Sequence, residues 1–425
     1  MGMNERSRGE ADALASQALT NLRGVFIIIL VSFHSCLAYL SSTAGAASAF
    51  DAPPYSWLAF PVVDERRFFG FDLYCAWEDV HVMAMMFFLS GLFVPQSLRR
   101  KGPARFVLDR ALRLGVPFLF GVLALAPLAL YPVFHRLNPS SGVAGYLAAY
   151  AGLPMLPNGP QWFLWLLLGW SLAAAALEAL WPGALEALGR LASQARRRPC
   201  PFLAALGGAA ALGYVPLALR YGPFDWYEQG PFSFQQSRPL LYGVYFFAGA
   251  AVGGAGLGQG LLAPDGELAR RWRLLAGVSP ATLFLWMGLT GVVLTFPAFA
   301  PTTMSFLSAL AYAAASVAGV MCLLAITIRF CTQPIGWLAP LARNALGIFV
   351  VHYPPMVWSQ YALSGVDLPA FVKACLVFAF TLSVSLTVAA AMRRTPGLAI
   401  LIGEEAGVVP RALRTPQEAA SSPRP

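Results

Sequence analysis

The chain has 425 residues, 58% hydrophobic and 12% charged, with a mean hydropathy of +0.62. Repeated apolar runs near twenty residues long exclude a soluble domain and mark a polytopic membrane protein. The formal net charge is +9 and Lys101 and Lys373 are the only lysines; the arginines cluster between apolar runs, which points to membrane orientation and away from nucleic acid.

Ten spans are expected, at about 22–42, 80–98, 112–132, 161–181, 201–219, 239–257, 280–298, 304–328, 342–363 and 370–392. The fold class is therefore an all-α polytopic helix bundle with both termini on one side. Placing the N-terminus in the cytoplasm puts 23 Arg and Lys inside and 6 outside, as the positive-inside rule requires. The expected organisation is a cytoplasmic tail at 1–21, a membrane domain at 22–394 and a partly disordered cytoplasmic tail at 395–425. Arg6 and Arg8, the first apolar run and Ala47-Ser48-Ala49 have the outline of a signal peptide. The run is long for that role and carries Arg23 and His34, so it is read as a span.

The first span sets the argument. Arg23 and His34 are eleven residues apart. On a helix that is about three turns and about 16 Å, so both side chains point one way. With Arg23 at a membrane face, His34 sits near mid-bilayer, where an ionisable group is costly and is retained for function or paired. A long outer loop follows, 43–79, with Asp51, Asp64, Glu65, Asp72, Glu78 and Asp79 among aromatics. The second span opens Glu78-Asp79-Val80-His81, which places His81 near the outer surface beside two carboxylates able to fix its tautomer. Ser90 lies nine residues further on, roughly 14 Å down, near the level of His34.

Next comes an inner basic cluster of Arg99, Arg100, Lys101, Arg105, Arg110 and Arg113. Guanidinium forks of this kind bind phosphates, either those of a cytosolic donor or those of membrane lipid heads. The outer loop 220–238 is rich in aromatics, suited to sugar stacking or to an interfacial belt. The ninth span carries Arg343-Asn344 and then His352-Tyr353-Pro354-Pro355, a second histidine near mid-depth followed by a helix break. The break frees backbone carbonyls that need partners, and so points to a polar cavity. The six cysteines show no metal-ligand or disulfide spacing, and no metal is assigned.

The ordered set Leu22-Arg23-Gly24 to His34-Ser35, His81 through Phe88-Leu89-Ser90-Gly91, Asp109-Arg110 through Gly115-Val116-Pro117, Trp162-Phe163-Leu164 and Asn344-Ala345 through His352-Tyr353-Pro354 resembles the acyltransferase 3 family of integral-membrane acyltransferases. Within that family it looks most like the glucan-biosynthesis protein C branch, periplasmic glucan succinyltransferases. The resemblance implies an enzyme of the bacterial inner membrane. It would move an acyl group, acetyl or succinyl, from cytosolic acyl-CoA as co-substrate to a hydroxyl of a carbohydrate acceptor such as an envelope glucan or polysaccharide. His34 would be the general base. Ser90, His81 and His352 are further catalytic candidates. Arg23, Arg99, Arg100, Arg105, Arg110 and Arg113 are candidates for the CoA phosphates, and Glu78, Asp79 and Asn344 for the substrate. Two other classes share the polar cavity: an exporter or flippase of a free or lipid-linked glycan, and a redox subunit with haem held between His34 and His352. Oligomeric state is not legible.

Overall fold

A computed structural model describes residues 2–43, 45–296 and 302–404, with side chains from residue 9 onward. Residues 405–425, which include Arg411, Arg414 and Arg424 of the expected tail, lie outside the described residues, as do the side chains of Arg6 and Arg8. The chain is an all-α bundle with one short hairpin, Trp226–Gln229 paired antiparallel with Phe232–Gln235.

Eight helices among the described residues are long and apolar enough to cross a membrane. The two other expected spans are present in altered form. One is the shorter helix Pro239–Ala255. The other is divided into Ala345–Val351 and Tyr353–Leu363, broken at His352. The break follows from Pro354, which has no N–H to offer the carbonyl of Val350 four residues back. Gln161 supplies the missing donor, its Nε2 reaching Val350 O at 2.9 Å.

Three boundaries differ from expectation. The first helix runs Gly2–Cys36, beginning well before the expected start at residue 22. The second begins at Phe69, not at residue 80, and the loop before it is correspondingly short. Hydropathy penalises Glu78 and Asp79 and assigns them to a loop; in the fold both lie on the helix, and Asp79 is paired with Arg238. The basic cluster occupies two short helices, Val94–Lys101 and Pro103–Arg110, the latter continuing toward Leu137.

The first helix is central and packs on Phe69–Leu92, Thr302–Phe330, Ala345–Val351 and Ala370–Arg394. Asn21 fastens its lower part, donating from Nδ2 to the carbonyls of Cys331 and Gln333, both at 2.7 Å. Phe69–Leu92 lies flush on Pro239–Ala255 because glycines face it: a Cβ on Gly249 or Gly253 would overlap the carbonyl oxygen of Phe88 or Leu92. Small residues at four-residue spacing permit such approach in lipid, where packing and not water exclusion drives helix association. Thr302–Phe330 is 72% buried over its apolar window, against 22% for Trp272–Thr295 and 28% for Ala370–Arg394, so the latter two present their outer faces to lipid.

Candidate functional site

A cavity of about 500 Å³ lies between the first helix, Phe69–Leu92, the head of Trp162–Leu180, Pro239–Ala255 and the broken helix. Loops at 54–61 and 155–160 and the hairpin complete its walls. Leu30 and Met83 are its deepest members on the first two spans. It therefore occupies the half of the bundle next to the hairpin, away from the basic cluster.

His34 lines this cavity. Its Nδ1 lies 2.9 Å from the carbonyl of Leu30, one turn back. A carbonyl only accepts, so Nδ1 carries the hydrogen, and in the neutral imidazole Nε2 keeps its lone pair. Nε2 has no protein partner among the described residues and is not sealed from the cavity. Gln360 fixes the backbone here, donating to the carbonyl of His34 at 2.9 Å.

His81 and His352 have the same local geometry and a different exposure. Each directs Nδ1 to a nearby carbonyl at 2.6 Å, that of Trp77 and that of Phe349. Each is fully buried, with Nε2 sealed and without a hydrogen-bond partner among the described residues. His81 is not at the outer surface, as expected from sequence. It sits in the seam with Thr302–Phe330, where only a glycine at 319 leaves room for its ring. His352 packs behind His34, ring centroids 4.9 Å apart. That is direct ring contact, with no gap for an iron between the two.

The carboxylates expected beside His81 turn to the cavity instead. Glu78 is 3% exposed and lines the wall without a hydrogen-bond partner among the described residues. Asp79 binds Arg238 through both oxygens, at 2.5 and 2.6 Å. Arg238 is 1% exposed and lies 5.0 Å over the ring of Tyr312, so one ion pair joins three helices. The sequence reading missed Arg238, counting it as an outside positive charge; the signal was an arginine at the head of an apolar run. It also missed Glu228, which the hairpin places in the cavity wall and whose carboxyl burial pushes up. Trp162, part of the motif set, also lines the cavity, and its indole N–H has no protein partner among the described residues. Gly159 allows this turn: it has φ +50°, and a Cβ there would overlap the ring of Tyr353.

Ser90 and Asn344 do not line the cavity. Ser90 donates to Met86 O at 2.8 Å and sits seven residues below Met83, about 10 Å deeper. Asn344 donates to Pro340 O at 2.8 Å, at the junction of two short helices.

Arg113 lies within electrostatic reach of both Arg23 and Arg110, and Arg23 is about three turns along the first helix from His34. Arg23 and Arg113 are exposed, Arg110 half-buried over Phe106. Arg99 belongs to a separate hollow of about 390 Å³ with Glu178 and Glu186. Arg100 is exposed and Arg105 half-buried on the same basic face.

The acyltransferase domain profile of the acyltransferase 3 family matches residues 16–390, nearly the whole described membrane region. The chain belongs to this family. It is a multi-pass membrane acyltransferase. No curated protein and no solved structure matches the chain.

Proposed function

We propose that the enzyme transfers an acyl group from cytosolic acyl-CoA to a hydroxyl of a carbohydrate acceptor, an envelope glucan or polysaccharide in a bacterial inner membrane, with His34 as general base. The single observation that carries this reading is His34 itself: of the four histidines, it alone lines the cavity, and its Nε2 is reachable there.

The acceptor hydroxyl enters from the hairpin side and hydrogen-bonds to Nε2. Its oxygen attacks the thioester carbonyl carbon; the new C–O bond forms as the C–S bond breaks. Nε2 takes the hydroxyl proton and returns it to the leaving thiolate, so no covalent enzyme intermediate is needed. Positioned proton transfer of this kind contributes about 10²–10⁴-fold. The CoA phosphates rest on Arg23, Arg110 and Arg113, and the pantetheine arm extends past Leu30 and Met83 over the ~16 Å that separates Arg23 from His34. Trp162, on the cavity wall with an indole N–H that has no protein partner among the described residues, is a candidate to steady the oxyanion. Acetyl and succinyl donors, and the glucan-biosynthesis protein C branch, belong to this reading.

Mass spectrometry of envelope glycans from a deletion strain tests it against export. Loss of an ester increment with the glycan retained supports transfer. Loss of the glycan itself supports an exporter or flippase and removes the proposal.

A further inference from the structure

The cavity wall carries three carboxyl groups, Glu78, Asp79 and Glu228, and among the described residues Arg238 is its only arginine or lysine. That single cation is spent. Both of its terminal nitrogens hold Asp79, and its Nε is sealed. Glu78 is 3% exposed and lines the cavity, yet has no donor from the protein among the described residues. A buried carboxyl in that state is incomplete, and a bound molecule's hydroxyl or ammonium hydrogens would complete it. Protonation of Glu78 would remove its charge but would not create a positive one. Trp162 and Trp226 meet edge to face at 5.9 Å on the same wall and offer ring faces to an uncharged sugar.

We propose that this cavity is the acceptor subsite and that it selects by charge: it takes a hydroxyl compound that is uncharged or carries an amine, held by Glu78, and turns away anionic acceptors. The proposal rests on the acyl-transfer reading above and narrows its acceptor class. Like-charge contact in a confined site works as a rejecting device, and a preference of about tenfold or more is expected from it.

The test uses the full-length protein in nanodiscs with one acyl-CoA and three oligosaccharides of equal length: neutral, hexosamine-containing and uronate-containing. CoA release gives kcat/KM, and quenching of tryptophan fluorescence gives acceptor binding without donor. The neutral and amino acceptors are expected to exceed the uronate at least tenfold in both readouts. Glu78→Gln should raise KM for the amino acceptor most. Asp79→Asn, which leaves the Arg238 charge uncompensated, should narrow or reverse the gap; if that variant does not fold, the Glu78→Gln comparison stands alone. Equal or better use of the uronate by the unaltered protein overturns the proposal. CoA release with no charge order would leave acyl transfer standing and charge selection refuted. Charge-ordered binding with no CoA release from any acceptor would do the reverse.

Discussion

The pair between Asp79 and Arg238 gives the sharpest stability test. Arg238 is 1% exposed and Asp79 26%, and both guanidinium Nη atoms donate to the carboxylate. Truncating one member leaves the other as an uncompensated charge inside the bundle, at a cost of about 3–5 kcal/mol for a sealed pair. Asp79 keeps some contact with the cavity, so Arg238→Met should fall near the lower end of that range. Asp79→Leu strands the deeper charge and should cost more. Replacing both removes the stranded charge altogether, and the double variant should be more stable than either single one. A coupling energy of about 2–3 kcal/mol is expected between the two sites. The assay is unfolding in mixed micelles with a denaturing detergent, followed by tryptophan fluorescence, for the parent, both single variants and the double variant. Additive costs, or single-variant costs below about 1 kcal/mol, would refute the reasoning that this pair is a mutually neutralised charge in the core.

Gln161→Ala removes the donor that satisfies the Val350 carbonyl freed by Pro354, and should cost about 1–3 kcal/mol in the same unfolding assay. Gln161→Glu, which cannot donate when ionised, should be no better. Lys373 and Asp64 are each 1% exposed and bonded at 3.0 and 2.8 Å. Lys373→Met should therefore destabilise by about 3–5 kcal/mol, while adding Asp64→Leu should recover much of the loss. Glu228, outside the spans on a largely exposed strand of the hairpin, has its carboxyl pushed above its ordinary value of 4.5 by partial desolvation at the cavity wall. The folded state then holds this proton more tightly than the unfolded one. Stability from this group is greatest below the ordinary value and is lost as pH rises through the folded-state value. Glu228→Gln should remove that slope, so the Tm difference from the parent should widen with pH across that window and then level off. A difference that stays flat, or narrows, would contradict the assignment.

Much of the architecture was legible because lipid leaves few choices. The apolar runs became helices, and His352-Tyr353-Pro354-Pro355 marked a break that the structure places at that histidine. The alignment of Arg23 with His34 follows from helix geometry alone. The start of the second span was not legible. Hydropathy reads Glu78 and Asp79 as loop residues, and what allows Asp79 inside the bundle is Arg238, 159 residues later in the chain. The sequence did not show which of His34, His81 and His352 would be open to a cavity. All make the same bond to a nearby carbonyl. Only packing separates them: the Gly319 seam seals His81, the ring of His34 and the broken helix cover His352, and the hairpin side leaves His34 open. Ser90 matched His34 in estimated depth, but the helix that carries it began eleven residues sooner than hydropathy indicated, at Phe69 and not at residue 80, and the cavity ends above Ser90.

The most direct measurement compares acyl transfer from labelled acyl-CoA in proteoliposomes carrying His34→Ala, His81→Ala or His352→Ala, each normalised to folded protein. Loss of about 10²–10⁴-fold is expected for His34→Ala, with the other two within about tenfold of the parent. Near-parental transfer by His34→Ala, or an equal collapse confined to His81→Ala, would contradict the assignment of His34 as the base that meets the acceptor.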